Sequence, residues 1–113
     1  MDPRVLLVMT TVPDLATGER LARLLVEARL AACVNIIAGV TSIYRWQGAV
    51  EQASEHQLLI KTSASRYADV EEALRVHHPY ETPEIIALPV SDGSPAYLRW
   101  LADESDPREP VYA

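Results

Sequence analysis

Val34-Asn35-Ile36-Ile37-Ala38-Gly39-Val40-Thr41-Ser42-Ile43-Tyr44-Arg45-Trp46-Gln47-Gly48 is the stretch that decides the fold. Its residues Val34, Ile36, Ile37, Val40 and Ile43 favour a strand reaching towards Trp46, because branched and aromatic side chains fit a pleated surface. Gly39 suits a bulge or bend within that strand. Gln47-Gly48 signals a turn, and Val50 to Thr62 returns as a second long strand, polar through Ser54-Glu55-His56-Gln57 and apolar at Leu58-Leu59-Ile60. Each arm exceeds the usual strand of roughly 5 or 6 residues. The hairpin tip therefore projects past a small domain. A two-stranded ribbon carrying Ile43, Tyr44 and Trp46 is marginal alone and offers unpaired edges, so pairing with further copies of the chain is expected, with Tyr44 and Trp46 as interface anchors.

Upstream, Val5 to Thr11 is a short, nearly continuous apolar run that reads as a strand buried on both faces. From about Leu15 to Arg29, the spacing of Leu21, Leu24, Leu25 and Ala28 predicts a helix, with Asp14 or Thr17 as its N-cap. Leu30-Ala31-Ala32 fits either a last helical turn or the start of the next strand. Downstream, Ser63 and Ser65 can cap a helix that places Tyr67, Val70, Leu74 and His77 on one stripe. Ile85 to Val90 reads as a short strand, and Pro89 suits an edge. Ser94 and Pro95 start a final helix whose apolar contacts are Tyr97, Leu98, Trp100 and Leu101, with Trp100 expected in the core. The tail from Ser105 reads as loose, although Val111 and Tyr112 could add a short strand. The order strand, helix, strand, strand, helix, strand, with one appended helix, is an α+β arrangement of ferredoxin-like type in a single domain over residues 1–113.

Composition narrows the function classes. Ten basic against sixteen acidic residues give a formal charge of -6, which with no basic run argues against nucleic acid and anionic membranes and favours cations. Cys33 is the only thiol, so no intrachain disulfide or cysteine-pair zinc site can form. The run at Val5 to Met9 is too short for a signal-peptide core or a membrane span, and a cytoplasmic location is the expectation. With four scattered glycines there is no phosphate-binding loop, nor does a nucleophile elbow or helical zinc-protease motif occur.

The chemistry concentrates in His77-His78-Pro79-Tyr80-Glu81-Thr82-Pro83-Glu84. A residue before proline is pushed out of the helical region, so His78 and Thr82 should be extended and the segment stiff. His77 and His78 suit zinc, copper or nickel, and Glu81 and Glu84 add oxygen donors. Adjacent histidines rarely chelate one ion from regular structure, so a further ligand must come from elsewhere. The plainer alternative is a loop-fixing segment with exposed histidines. Cys33 reads as a small buried hydrophobe, with a soft-metal role as the alternative. Lys61, the only lysine, reads as a strand-end residue or as a cation for an anionic ligand or Glu81. An acid–base cluster of His78, Tyr80 and Glu81 lacks an assignable nucleophile, so no reaction is read from the sequence.

Several motifs, in order, resemble the CutA divalent-cation-tolerance family: residues 30–35 (LAACVN), 42–48 (SIYRWQG), 60–62 (IKT), 78–81 (HPYE) with 83–85 (PEI), and 97–100 (YLRW). The resemblance implies a homotrimer of ferredoxin-like subunits, similar in assembly to PII signalling proteins, with long hairpins packed across subunit boundaries. It implies tolerance to copper and other divalent metals without an established enzymatic reaction. Where a copper site has been proposed in bacterial members, its ligands match His77 and His78 here, while the cysteine position falls on Thr10. The family's intersubunit cleft would be lined by Cys33, Trp46, Lys61, His78, Tyr80, Glu81 and Glu84. Two functional readings result: binding of Cu(II) or another divalent cation, and a PII-like trimer taking a small anionic ligand through Lys61. A structural or partner-binding trimer is the third.

Overall fold

Strand β1 (Val5–Val12) lies between two antiparallel neighbours and organises the sheet. The computed structural model describes residues 4–108. After β1 come α1 (Leu15–Glu27), β2 (Cys33–Trp46), β3 (Ala49–Ser63), a 3-10 turn at Ala64–Arg66, α2 (Tyr67–His77), β4 (Ile86–Pro89) and α3 (Pro95–Glu104). The sheet order β2-β3-β1-β4, antiparallel throughout, is the ferredoxin-like arrangement with its appended helix. Pro89 sits on an edge strand, where its missing N–H costs no ladder bond.

Leu21 and Leu25 of α1 and Val70 and Leu74 of α2 pack on Leu6, Val8, Val12, Leu58 and Ile60. Side chains alternate along a strand, so Leu7, Met9 and Thr11 point to the other face, opposite Lys61, Leu59 and Gln57 of β3. That second face is only partly covered. Helix α3 lies over its Val5 end, where Leu101 meets Val5 and Ala32. Ile86 and Leu88, each 49% exposed, continue it across β4. The expectation that β1 is buried on both faces is thus met on the helical face alone. Trp100, expected in the core, is exposed and packs against Tyr97 at 5.5 Å between ring centroids, because only Leu101 of α3 points fully inward.

The helix ends show how local chemistry sets the boundaries. Asp14 caps α1 by accepting from the Thr17 N–H at 2.8 Å. The helix stops at Glu27, two residues before the predicted end at Arg29, which adopts a left-handed φ of 59°. The Arg29 guanidinium donates to the carbonyls of Asp103 at 2.6 Å and Asp106 at 2.7 Å. Ser105 is buried, donating to Leu101 O at 2.7 Å and sharing a hydrogen bond with Ser63 Oγ. The tail expected to be loose from Ser105 is therefore tied down as far as Arg108, and Val111 and Tyr112 lie outside the described residues. Neither Ser63 nor Ser65 caps α2: the 3-10 turn intervenes, and Arg66 precedes the helix without a side-chain cap bond. Ser94 likewise makes no side-chain cap bond, although Pro95 opens α3 as expected. His77 falls off the buried stripe of α2 and is exposed.

The hairpin turns at Gln47 (φ 50°) and Gly48 (φ 84°), two positive values that match the strand twist of a tight hairpin. Its arms run beyond the last β1–β3 pair, Val12 with His56, as far as Trp46 with Ala49. The described chain consequently measures 55 × 26 × 24 Å. Between Ile37, opposite Gln57, and Val40, opposite Glu55, β2 advances one residue more than β3, a bulge made possible by Gly39 at φ 77°. This extra residue reverses the facing of everything beyond it. Val34 and Ile36 face the helices, whereas Ser42, Tyr44 and Trp46 share the second face with Glu55 and Thr11. Gly39→Val forces a branched side chain into the left-handed region and should lower unfolding free energy by about 1–3 kcal/mol in urea titration. Wild-type stability in that variant would contradict the bulge.

Candidate functional site

Helix α2 ends at His77, and Pro79 forbids its continuation, so His78 is extended at φ -73°, ψ 138° as its position before proline requires. Its imidazole is buried, 7% exposed, and both ring nitrogens are engaged. Nδ1 accepts from the Tyr80 N–H at 3.1 Å, which leaves the proton on Nε2 to be donated to Thr11 O at 2.8 Å. His78 thus pins the 78–84 segment to the end of β1. Burial holds its pKa below the usual 6.5, against the opposing pull of the Thr11 carbonyl and the Glu55 charge.

The pinned segment swings Tyr80 across to β3. Its ring lies 4.8 Å from that of His78, and its hydroxyl donates to Glu55 Oε2 at 2.7 Å. Glu55 is only 7% exposed. Burial and then the neighbouring Glu55 raise the Tyr80 pKa, so the phenol stays a donor and Glu55 the acceptor. Around this pair lies a cleft of about 880 Å³, walled by residues 79–84 on one side and by Ser42, Ile43, Tyr44 and Trp46 of the hairpin on the other.

The residues singled out from the sequence divide between two places. Trp46, Tyr44, Tyr80, Glu81 and Glu84 line the cleft. Cys33 pairs in register with Lys61, which donates to the Tyr97 hydroxyl at 3.3 Å and lies 5.6 Å from that ring's centroid. At roughly 3.3 Å per residue, Lys61 stands about 20 Å along β3 from Glu55. Within one chain Cys33 and Lys61 therefore lie apart from the residues around Tyr80, and Lys61 contacts Tyr97 rather than Glu81. The carboxylate partner of Tyr80 is Glu55 rather than Glu81, which is exposed. Within the polar run Ser54-Glu55-His56-Gln57, nothing local marks Glu55 as buried. The bulge at Gly39 was the available signal.

The four expected metal donors do not converge. His77 is exposed, with its carbonyl accepting from Arg20 at 3.5 Å, while His78 has no free nitrogen lone pair. Thr10 is fully buried on the helical face, and its hydroxyl has no hydrogen-bond partner among the described residues. Among the described residues, no group of three or more His, Cys, Asp or Glu side chains is placed to hold a metal ion. A copper site formed by His77, His78 and the position of Thr10 does not fit this arrangement. No described helix is long and apolar enough to cross a membrane.

The pKa of His78 carries a pH signature. The folded state binds this proton less readily than the unfolded state, so stability present above pH 6.5 is lost as pH falls from there through the folded value. Urea unfolding should show this loss in wild type. The component due to this residue should be absent in His78→Asn, and an identical slope in both proteins would refute the depressed pKa.

The family profile described as "CutA1 divalent ion tolerance protein" matches residues 6–104. A divalent-cation tolerance protein CutA from Thermus thermophilus is 47% identical over 98 residues, spanning 87% of this chain and 95% of the relative. Another, from Citrobacter koseri, is 43% identical over 99 residues, spanning 88% of this chain and 86% of the relative. The crystal structure of CutA from Xylella fastidiosa superposes with a TM-score of 0.88 at 48% identity, covering 90% of this chain and 98% of that one. The chain belongs to the CutA1 divalent ion tolerance family.

Proposed function

We propose that the chain serves divalent-cation tolerance as a non-enzymatic homotrimer whose subunits close one another's open sheet face and meet the cation at the 77–84 segment. The observation that carries the assembly is the uncovered face of Leu7, Met9, Leu59, Ile86 and Leu88 beside a hairpin that exposes Ile43, Tyr44, Trp46 and Val50. Exposed apolar surface of this kind marks an interaction site, and the resemblance to the family supports three copies.

His78 is the pin rather than a ligand, so the accessible donors are the His77 imidazole and the Glu81 and Glu84 carboxylates. These are borderline and hard donors. They rank copper(II) first among the divalent first-row ions and give weak binding unless a neighbouring subunit completes the shell. The cation is cargo, and the net charge of -6 favours its approach.

Light scattering should give a particle of about three times the 12.5 kDa chain mass. A monodisperse monomer at micromolar concentration would contradict the assembly. Calorimetric titration with copper(II) should show His77→Ala/Glu81→Gln losing about tenfold or more in affinity. Unchanged affinity and stoichiometry would remove these donors from the site.

A further inference from the structure

Helix α3 is joined to the rest of the chain by two attachments of different kinds. The apolar one is small: Leu101 is the one buried residue of the helix, and with Leu98 it packs on Val5 and Ala32 in a cluster separate from the main core. The polar one is Arg29, at the corner between α1 and β2. Its guanidinium donates from Nε to Asp106 O at 2.7 Å and from Nη2 to Asp103 O at 2.6 Å and Arg108 O at 3.3 Å, while Nη1 meets Glu104 Oε2 at 3.4 Å. Buried Ser105 adds a contact between these two, its hydroxyl lying 2.7 Å from Ser63 Oγ at the end of β3.

The end of α3 needs such a partner. Its last turn carries Asp103 and Glu104 and no basic residue, beside carbonyls at the negative end of the helix dipole. Arg29 supplies the missing cation from 74 residues away, with a planar fork of donors that reaches several carbonyls at once, as a lysine ammonium would not. A non-glycine residue persists in the left-handed region, here at φ 59°, where its surroundings hold it there. An element fastened by one buried leucine and one polar clasp belongs to the low-stability end of a fold. We propose that α3 and the tail through Arg108 form a strap, buckled by Arg29 over the Val5 end of the second sheet face, that lifts and recloses as one unit while the sheet, α1 and α2 stay folded. Lifting takes Leu101 off Val5 and Ala32, and takes the Tyr97 hydroxyl off the Nζ of Lys61, 3.3 Å away. The strap thereby governs access to that end of the apolar face and to the charge of the only lysine. All of these groups belong to one chain, so the device rests on neither the number of copies nor the cation.

Native-state hydrogen exchange, resolved by residue and repeated at low urea concentrations, reads the strap directly. In the wild type, the amides of Leu98 to Ser105 should exchange through an opening with weak urea dependence, ahead of those in the β1–β3 ladder at Val8 and Ile60, which should follow global unfolding. Arg29→Gly suits the left-handed backbone while removing the guanidinium. It should speed exchange in the strap about tenfold or more relative to Val8 and Ile60 of the same protein. Strap amides that exchange together with the ladder amides in the wild type, with the same urea dependence, would overturn the proposal whether or not the variant folds. Arg29→Gly that speeds both sets equally, or neither, would overturn it as well.

Discussion

A sheet has two faces, and in this chain two helices cover only one of them. Leu21, Leu25, Val70 and Leu74 fill the space above Leu6, Val8, Leu58 and Ile60, while α3 reaches just the Val5 end of the opposite face. The rest of the architecture answers to that imbalance. An apolar face without a layer against it is the unfinished half of a core. The long hairpin extends the same surface beyond the body of the domain.

The second constraint is the proline-limited segment after α2. Because Pro79 ends the helix, His78 leaves it extended and becomes a bracket, giving one ring nitrogen to the Thr11 carbonyl and the other to the Tyr80 amide. The bracket places the Tyr80 hydroxyl on Glu55, and the bulge at Gly39 turns Tyr44 and Trp46 to the same side. The cleft therefore depends on two local backbone events distant in sequence. An imidazole used in this way is a structural part whose chemistry is consumed in holding position.

Much of this was legible from residue order. The ferredoxin-like topology, the Gly39 bulge, the turn at Gln47-Gly48, the Asp14 cap, the edge position of Pro89 and the extended His78 each follow from a local rule. What escaped was set by tertiary placement. The facing of β2 beyond Gly39 depends on how many residues the bulge adds, and the role of Glu55 depends on that facing. Neither can be read from periodicity alone. Arg29 resembled the last residue of an amphipathic helix, yet its left-handed backbone and its grip on Asp103 and Asp106 follow from where α3 ends. Residue order marks His77 and His78 as candidate donors without saying which is accessible, and the helix terminus between them exposes one and buries the other.

The open face is the point on which the functional reading turns. Leu59 sits at its centre, opposite Met9 on one side and Asn35 on the other, and it is not part of the helix-packed core. Sedimentation equilibrium of Leu59→Glu, with circular dichroism to verify folding, tests it most directly. A folded variant that sediments as a single chain while the wild type sediments as a trimer is the predicted result. A folded variant that remains a trimer would contradict closure of this face by neighbouring copies.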